Sequence, residues 1–313
     1  MIELRKDYIL DRWSYIALDR ENRLKQFKES GDSKTEGVCF FCPGNENMTP
    51  PEIGRIGTAD SWKIRWFPNK FPITESSVQS NIDFGKKFFT KGNAFGYHEV
   101  IAETADHKRQ LWDLDESELC ELLKVYGSRI RELSKKDGVK YVQLFKNSGS
   151  EAGTSIIHSH TQIVTTSMIP ESVVEKIAAT KRFESCPYCE IIEIEKNSER
   201  FIYENDDFIV FAPFAPRFNY ETCIFPKKHC KGISDLQEKE YANLASAFKK
   251  ILSKLALLNA PYNFCLHHST ESADLHFHFE IMPRLNKWAG FELATDSYVI
   301  TVSPENAAKF FKE

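Results

Sequence analysis

Lys146–Gln162 reads KNSGSEAGTSIIHSHTQ and sets His158, His160 and Gln162 two residues apart behind a Gly- and Ser-rich segment. On a β-strand, residues i, i+2 and i+4 point to one face. Two imidazoles and an amide then project together, beside a loop whose backbone can approach a phosphate closely. The combination points to nucleotidyl transfer through a phosphohistidine-type intermediate. A His-x-His pair alone is a weak signal. The Gly–Ser run before it and the glutamine after it carry the reading.

The motif recurs. The first half runs C-F-F-C (Cys39, Cys42), an isolated His107, an amphipathic segment, then H-S-H (His158, His160). The second runs C-P-Y-C (Cys186, Cys189), His229, another amphipathic segment, then H-F-H (His276, His278). His107 to His158 spans 51 positions and His229 to His276 spans 47. The same order at nearly the same spacing predicts a duplication. Within Asp115–Lys135 a helical stripe comprises Leu119, Leu122, Leu123, Val125, Tyr126, Ile130 and Leu133, and Leu236–Leu258 is its counterpart. Strand-like runs follow each helix, at Tyr141–Phe145 and Asn263–Leu266, and precede each isolated histidine, at His98–Glu103 and Glu221–Pro226. The expected fold is α+β, two repeated halves at 1–175 and 176–313, each an antiparallel sheet with packed helices. The charged, helix-like segment Pro170–Ser185 joins them.

Four of the eight cysteines form the two C-x-x-C pairs. Either pair alone fits a turn with two unliganded thiols, a redox pair or a metal site. The repeat favours metal. Cys39, Cys42, His107 and His158 would form one Cys2His2 tetrahedron, and Cys186, Cys189, His229 and His276 a second. Zinc suits mixed thiolate and imidazole ligands, and four protein ligands make a structural site. A metal on His158 would fix the direction of His160 two residues on.

Bulk properties narrow the field. With 313 residues, 42% of them hydrophobic and 27% charged, the chain has the composition of a soluble globular protein of one or two domains. A net charge of -4 argues against a nucleic-acid surface. No apolar run approaches the ~20 residues of a membrane helix. The start, MIELRKDYIL, has no secretory core, so a cytoplasmic location is expected.

Several segments together resemble the galactose-1-phosphate uridylyltransferase family of the histidine-triad superfamily, including the ADP-glucose phosphorylases. They are DRWSYIALDRENR (Asp11–Arg23), CFFCPGNENMTPPE (Cys39–Glu52), WKIRWFPNKFP (Trp62–Pro72), GYHEVIAETADH (Gly96–His107), Lys146–Gln162, LHFHFEIMPR (Leu275–Arg284) and AGFE (Ala289–Glu292). The resemblance covers nearly the whole chain. It implies two histidine-triad-like halves and ping-pong chemistry, with His160 as the residue matching the nucleophile. Neutral imidazole is nucleophilic near pH 7 and its phosphoramidate can pass the group on. Gln162 matches the residue that bonds the transferred phosphate. Ser155 and the amides around Gly153 and Thr154 would contact that phosphate. Asn147 and Asn69 match nucleotide contacts, Arg65 sits near Asn69, and Arg20 and Arg23 match phosphate-binding arginines. Lys287, Phe291 and Glu292 match the hexose 1-phosphate region. The implied partners are a nucleotide sugar and a sugar 1-phosphate, and the implied oligomer is a homodimer.

The chain departs from the family in two places. Leu293–Tyr298 replaces a glycine-rich run, with Asp296 near the expected phosphate site. Ser159 stands between the paired histidines, where uridylyltransferases tend to have proline and phosphorylase-type relatives serine. The expected activity is UDP-glucose–hexose-1-phosphate uridylyl transfer. The alternatives are an ADP-glucose or dinucleoside-polyphosphate phosphorylase, a nucleotide hydrolase, and a catalytically silent zinc- or nucleotide-binding protein. In the second half Glu280 replaces the glutamine and brings negative charge toward any phosphate, so that half is expected to have lost the nucleophile's role.

Overall fold

The computed structural model describes residues 38–85 and 87–313, together with the backbone of two N-terminal strands, 3–6 and 13–16. Arg20 and Arg23 lie outside the described residues. The chain divides into two compact units. One comprises Met1–Lys108, Ile130–Leu144 and His158–Glu175; the other comprises Arg109–Arg129, Phe145–Ile157 and Lys176–Glu313. The fold is α+β.

The strands are β1 (Glu3–Lys6), β2 (Trp13–Ile16), β3 (Gly54–Gly57), β4 (Trp62–Pro68), β5 (Ile82–Asp83), β6 (Lys91–Asn93) and β7 (His98–Ala102). They continue as β8 (Tyr141–Ser148), β9 (His160–Thr166), β10 (Phe201–Glu204), β11 (Phe208–Phe211), β12 (Thr222–Pro226), β13 (Tyr262–His267) and β14 (His278–Pro283). Six α-helices occur among the described residues: α1 (Glu116–Ser134), α2 (Glu171–Thr180), α3 (Pro187–Glu195), α4 (Glu238–Leu258), α5 (Gly290–Thr295) and α6 (Pro304–Lys312). None is long and apolar enough to cross a membrane.

In the first unit the main strands run β8-β9-β7-β4-β3, and a smaller sheet runs β2-β1-β6-β5. In the second the order is β10-β11-β12-β14-β13-β8. Strand β8 contributes residues through Leu144 to one unit and from Phe145 to the other. The register pairs Ala102 of β7 with His160 of β9, and His267 of β13 with His278 of β14.

Helix α1 starts where Asp115 and Glu118 cap each other's backbone N–H, each at 2.9 Å. All seven apolar residues of its stripe are buried. Helix α4 buries Leu244, Phe248, Ile251, Leu252 and Leu255, and ends at Asn259 in the left-handed region. Phe248 meets Phe264 and Phe279 edge-on, at 5.9 and 4.8 Å between centroids. Such contacts make the helix–sheet packing specific as well as apolar.

Gly96 marks a close approach behind β9. Its φ is +158°, and a Cβ there would sit 2.1 Å from the Thr165 carbonyl oxygen. Tyr97 N donates to Thr165 Oγ1 at 2.7 Å, and Thr165 N donates to Tyr97 O at 2.8 Å, so neither chain can retreat without losing bonds. Gly96→Ala is therefore expected to cost about 1–3 kcal/mol of stability. A urea unfolding curve with an unchanged slope and a lower midpoint is the expected result; an unchanged midpoint contradicts it.

Candidate functional site

Each Cys-x-x-Cys turn brings two thiols to two imidazoles. In the first unit Cys42 Sγ lies 3.4 Å from His107 Nδ1 and 3.6 Å from His158 Nδ1, and Cys39 Sγ lies 3.7 Å from His158 Nδ1. In the second, Cys189 Sγ lies 3.7 Å from His229 Nδ1 and 3.5 Å from His276 Nδ1, with Cys186 Sγ 3.9 Å from His276 Nδ1. Ordinary Zn–S and Zn–N bonds at a tetrahedral angle separate sulfur from nitrogen by roughly 3.6 Å. Both groups could therefore hold a metal ion, and their donors are compatible with zinc.

The far ring nitrogens are also fixed. His158 Nε2–H donates to Thr104 O at 2.7 Å and His276 Nε2–H to Pro226 O at 2.9 Å. Each Nδ1 lone pair then faces the thiols. Burial holds His158 below its ordinary value and takes His276 down to about 4, so both rings stay neutral. Burial, and then the paired cysteine, pushes Cys42 and Cys189 up to about 11. A cation among them would offset that resistance to ionisation.

His158 and His276 lie two residues before β9 and β14, not on them as the alternation suggested. Their rings are turned to the thiols, and the regular ladder begins only at His160 and His278. The carbonyls of the two earlier histidines accept from the later ones: His160 Nδ1–H donates to His158 O, and His278 Nδ1–H to His276 O, both at 2.9 Å. In both rings this leaves Nε2 with the lone pair.

An aromatic residue adjoins each ring. Phe41 lies 5.3 Å from His160 edge-on, and Tyr188 lies 5.3 Å from His278. Both occupy the third position of their Cys-x-x-Cys, a correspondence visible in the sequence once sought. Just before and within β9, Ser159 and Thr161 donate their hydroxyls to the two oxygens of buried Glu103.

Gln162 is buried beside His98 and Asn69. His98 Nε2–H donates to Gln162 Oε1 at 2.9 Å, and Asn69 Nδ2 donates to the same oxygen at 3.3 Å. Asn69 Oδ1 also accepts from Phe71 N at 2.8 Å, so it is a turn residue as well.

The second half differs at this point. Glu280, opposite both Cys223 and Cys265 in the sheet register, is ion-paired to Lys176 and to Arg217 at 2.6 Å, and accepts a hydrogen bond from His267 Nε2 at 3.0 Å. Lys176 Nζ also donates to His278 Nε2 at 3.2 Å. Burial alone would raise the Glu280 carboxyl, but His267, His278 and Lys176 outweigh it and hold it well below the carboxylate range. Burial takes His278 down to about 4. His267, left unassigned from the sequence, is thus part of a buried charge network. Lys176 and Arg217 lie about 60 to 100 residues from Glu280 in the chain, beyond the reach of any local pattern.

Other expected contacts find different employment. Arg65 is buried: its guanidinium donates to Glu52 at 2.9 Å, to Thr49 and to Glu46 O. It braces the chain before β3, while its buried Nη1 finds no hydrogen-bond partner among the described residues. Gly153 N donates to Ser150 O at 2.9 Å and Thr154 N to Gly149 O at 3.3 Å. These two amides close their own turn. Thr154 Oγ1 donates to Asn147 O at 2.8 Å, Asn147 Oδ1 accepts from Asn263 at 2.8 Å, and Ser155 is exposed.

Lys287 pairs with Glu151 at 2.7 Å and Phe291 is exposed. Glu292 is mostly buried and accepts from Ala289 N at 3.0 Å, capping α5. Asp296 follows α5 with φ +52°, the left-handed conformation that a glycine would adopt freely.

Comparison with known proteins fits this geometry. The family model described as "Galactose-1-phosphate uridyl transferase, N-terminal domain" matches residues 3–170. A second, "Scavenger mRNA decapping enzyme C-term binding", matches residues 185–287. The ADP-glucose phosphorylase of Arabidopsis thaliana is 32% identical over 327 residues, covering 99% of this chain and 92% of that protein. The galactose-1-phosphate uridylyltransferase of Thermotoga maritima is 28% identical over 335 residues, covering 100% and 98%. Among solved structures, a uridylyltransferase mutant aligns with a TM-score of 0.83 at 27% identity, covering 99% of this chain and 96% of that one. The Arabidopsis ADP-glucose phosphorylase with bound ADP-glucose aligns with a TM-score of 0.78 at 30% identity, covering 100% and 99%.

A chain that matches such proteins from end to end is an enzyme of the nucleotidylyltransferase class. More particularly, it belongs to the galactose-1-phosphate uridylyltransferase family.

Glu280→Gln gives the second half the amide that the first half has. It leaves Lys176 and Arg217 without their shared carboxylate. Both cations are partly exposed, so the expected loss is about 1–3 kcal/mol at neutral pH. A depressed carboxyl contributes its stability above its unfolded pKa of about 4.3 and loses it as pH falls through the folded value. The gap between wild type and variant should therefore narrow below pH ~4. Denaturant midpoints across pH test this, and a gap that widens on acidification would contradict it.

Proposed function

We propose that the chain moves a nucleoside monophosphate from a nucleotide sugar to a phosphate acceptor, through a covalent bond to His160. The observation that carries this is the His160 Nδ1–H bond to His158 O. It fixes the ring in the tautomer that leaves Nε2 unprotonated, the nitrogen that attacks the α-phosphorus. The P–O bond to the leaving sugar 1-phosphate breaks as the P–N bond forms. In the second half-reaction an acceptor phosphate oxygen attacks and the imidazole leaves. Gln162 supplies an amide donor for the non-bridging oxygens, where charge builds. Asn69, Asn147, Gly153, Thr154 and Ser155, with Arg20, Arg23 and Arg65, are assigned to nucleotide binding. Lys287, Phe291 and Glu292 are assigned to the sugar phosphate.

The first reading is uridylyl transfer between UDP-glucose and a hexose 1-phosphate, supported by the match to a family model described as a galactose-1-phosphate uridyl transferase domain. A second is adenylyl transfer from ADP-glucose to phosphate. The 32% identity to the Arabidopsis phosphorylase favours it, as does Ser159, whose hydroxyl is used by Glu103. Both Cys/His groups are assigned structural zinc, which would hold each C-x-x-C turn against its His-x-His segment.

Two experiments test these assignments. Wild type mixed separately with UDP-glucose and ADP-glucose should gain the mass of one uridylyl or one adenylyl group, and the donor that labels it names the base. His160→Ala should remain folded and gain nothing; labelling of that variant would sink the covalent route. Cys39→Ser should lose about one zinc per chain and melt at lower temperature. A variant with wild-type zinc content would remove the first metal assignment.

A further inference from the structure

We infer that His98 is a positioning residue for nucleotidyl transfer, acting through Gln162 to hold that amide with its NH2 group toward the transferring phosphate. The inference rests on the reading of His160 and Gln162 given above.

The orientation follows from two backbone amides, which can only donate. Ile73 N donates to His98 Nδ1 at 3.2 Å, so Nδ1 must present its lone pair. The neutral ring then carries its proton on Nε2. That N–H lies 2.9 Å from Gln162 Oε1. Phe71 N donates to Asn69 Oδ1 at 2.8 Å, which turns the Asn69 NH2 group the other way, to 3.3 Å from the same Gln162 oxygen. Two donors therefore converge on one side of the Gln162 amide. If the amide were flipped, its NH2 would face two N–H groups in a buried site, at the cost of unsatisfied donors. The carbonyl is held inward, and the Nε2 group is left as the donor on the face of β9 that Gln162 shares with His160.

The second half supplies a contrast within the same chain. There Glu280 stands at the position of Gln162 and accepts from His267 at 3.0 Å. A carboxylate has no N–H to offer on its other side. A histidine partner by itself thus does not make a phosphate donor; His98 has this role because its partner is an amide.

The effect should fall on the chemical step. An amide free to flip spends part of its time with a carbonyl oxygen facing a developing negative charge, which weakens the transition state more than the ground state. His98→Phe removes both ring nitrogens. It should slow single-turnover formation of the nucleotidyl-enzyme about tenfold or more while donor affinity stays within about threefold. His98→Gln, which keeps an N–H donor, should recover a substantial part of the rate. Nitrogen-15 spectra of wild type should show His98 neutral, with Nε2 protonated and Nδ1 bare.

His98→Phe forming the intermediate at the wild-type rate overturns the inference, as does a His98 ring protonated on Nδ1. Should His98→Phe fail to fold, the wild-type ring spectrum decides. Absence of any nucleotidyl-enzyme in wild type counts instead against the reading of His160, and the ring spectrum still tests the orientation of Gln162.

Discussion

His158 joins two parts of the molecule through three of its atoms. Its Nδ1 faces Cys39 and Cys42, its Nε2 is tied to Thr104 O, and its own carbonyl accepts from His160 Nδ1. The Cys/His group and the proposed nucleophile are therefore one backbone step apart. Whatever fixes the first ring fixes the direction and tautomer of the second. Glu103 holds the same segment from the other face. It takes the Ser159 and Thr161 hydroxyls, and its own N–H donates to Ser159 O at 3.1 Å. A group that must meet a phosphorus in line gains from such over-determination, because small displacements are costly in rate.

Much of this was legible before any coordinates. The helical stripes, the strand before and after each, and the pairing of each Cys-x-x-Cys with two distant histidines all follow from residue type and spacing. They were legible because the plan is stated twice. A zinc-type set whose ligands lie more than a hundred residues apart resembles no short finger pattern, and the second copy made the first readable.

What could not be read was direction. Alternation put His158 on the strand, whereas its ring turns to the thiols and the strand begins at His160. The Gly153 and Thr154 amides look like phosphate donors in sequence, and in the fold each also closes a tight turn. Arg65 has the charge for a nucleotide, and its burial gives Glu52 one side of the guanidinium while Nη1 has no hydrogen-bond partner among the described residues. Each of these concerns which partner a polar group takes, and that depends on residues brought in by the fold.

The two halves show how one device is kept and another is lost. Both fix the later histidine through the carbonyl of the earlier one, and both set an aromatic from the C-x-x-C turn beside it. They part at the next position on the strand. In the first half an amide can accept on one side and donate on the other. In the second a carboxylate can only accept, and Lys176 lies across His278 Nε2. A phosphate brought within about 4 Å of a carboxylate is opposed by roughly 4 kcal/mol at an effective dielectric of 20. Lys176 and Arg217 could offset that charge only by leaving the contacts that stabilise buried Glu280. The substitution that suits the second strand to a buried ion network is thus the one that unsuits it to phosphoryl chemistry. On the proposed reading His160 is the working histidine, and His278 belongs to the framework.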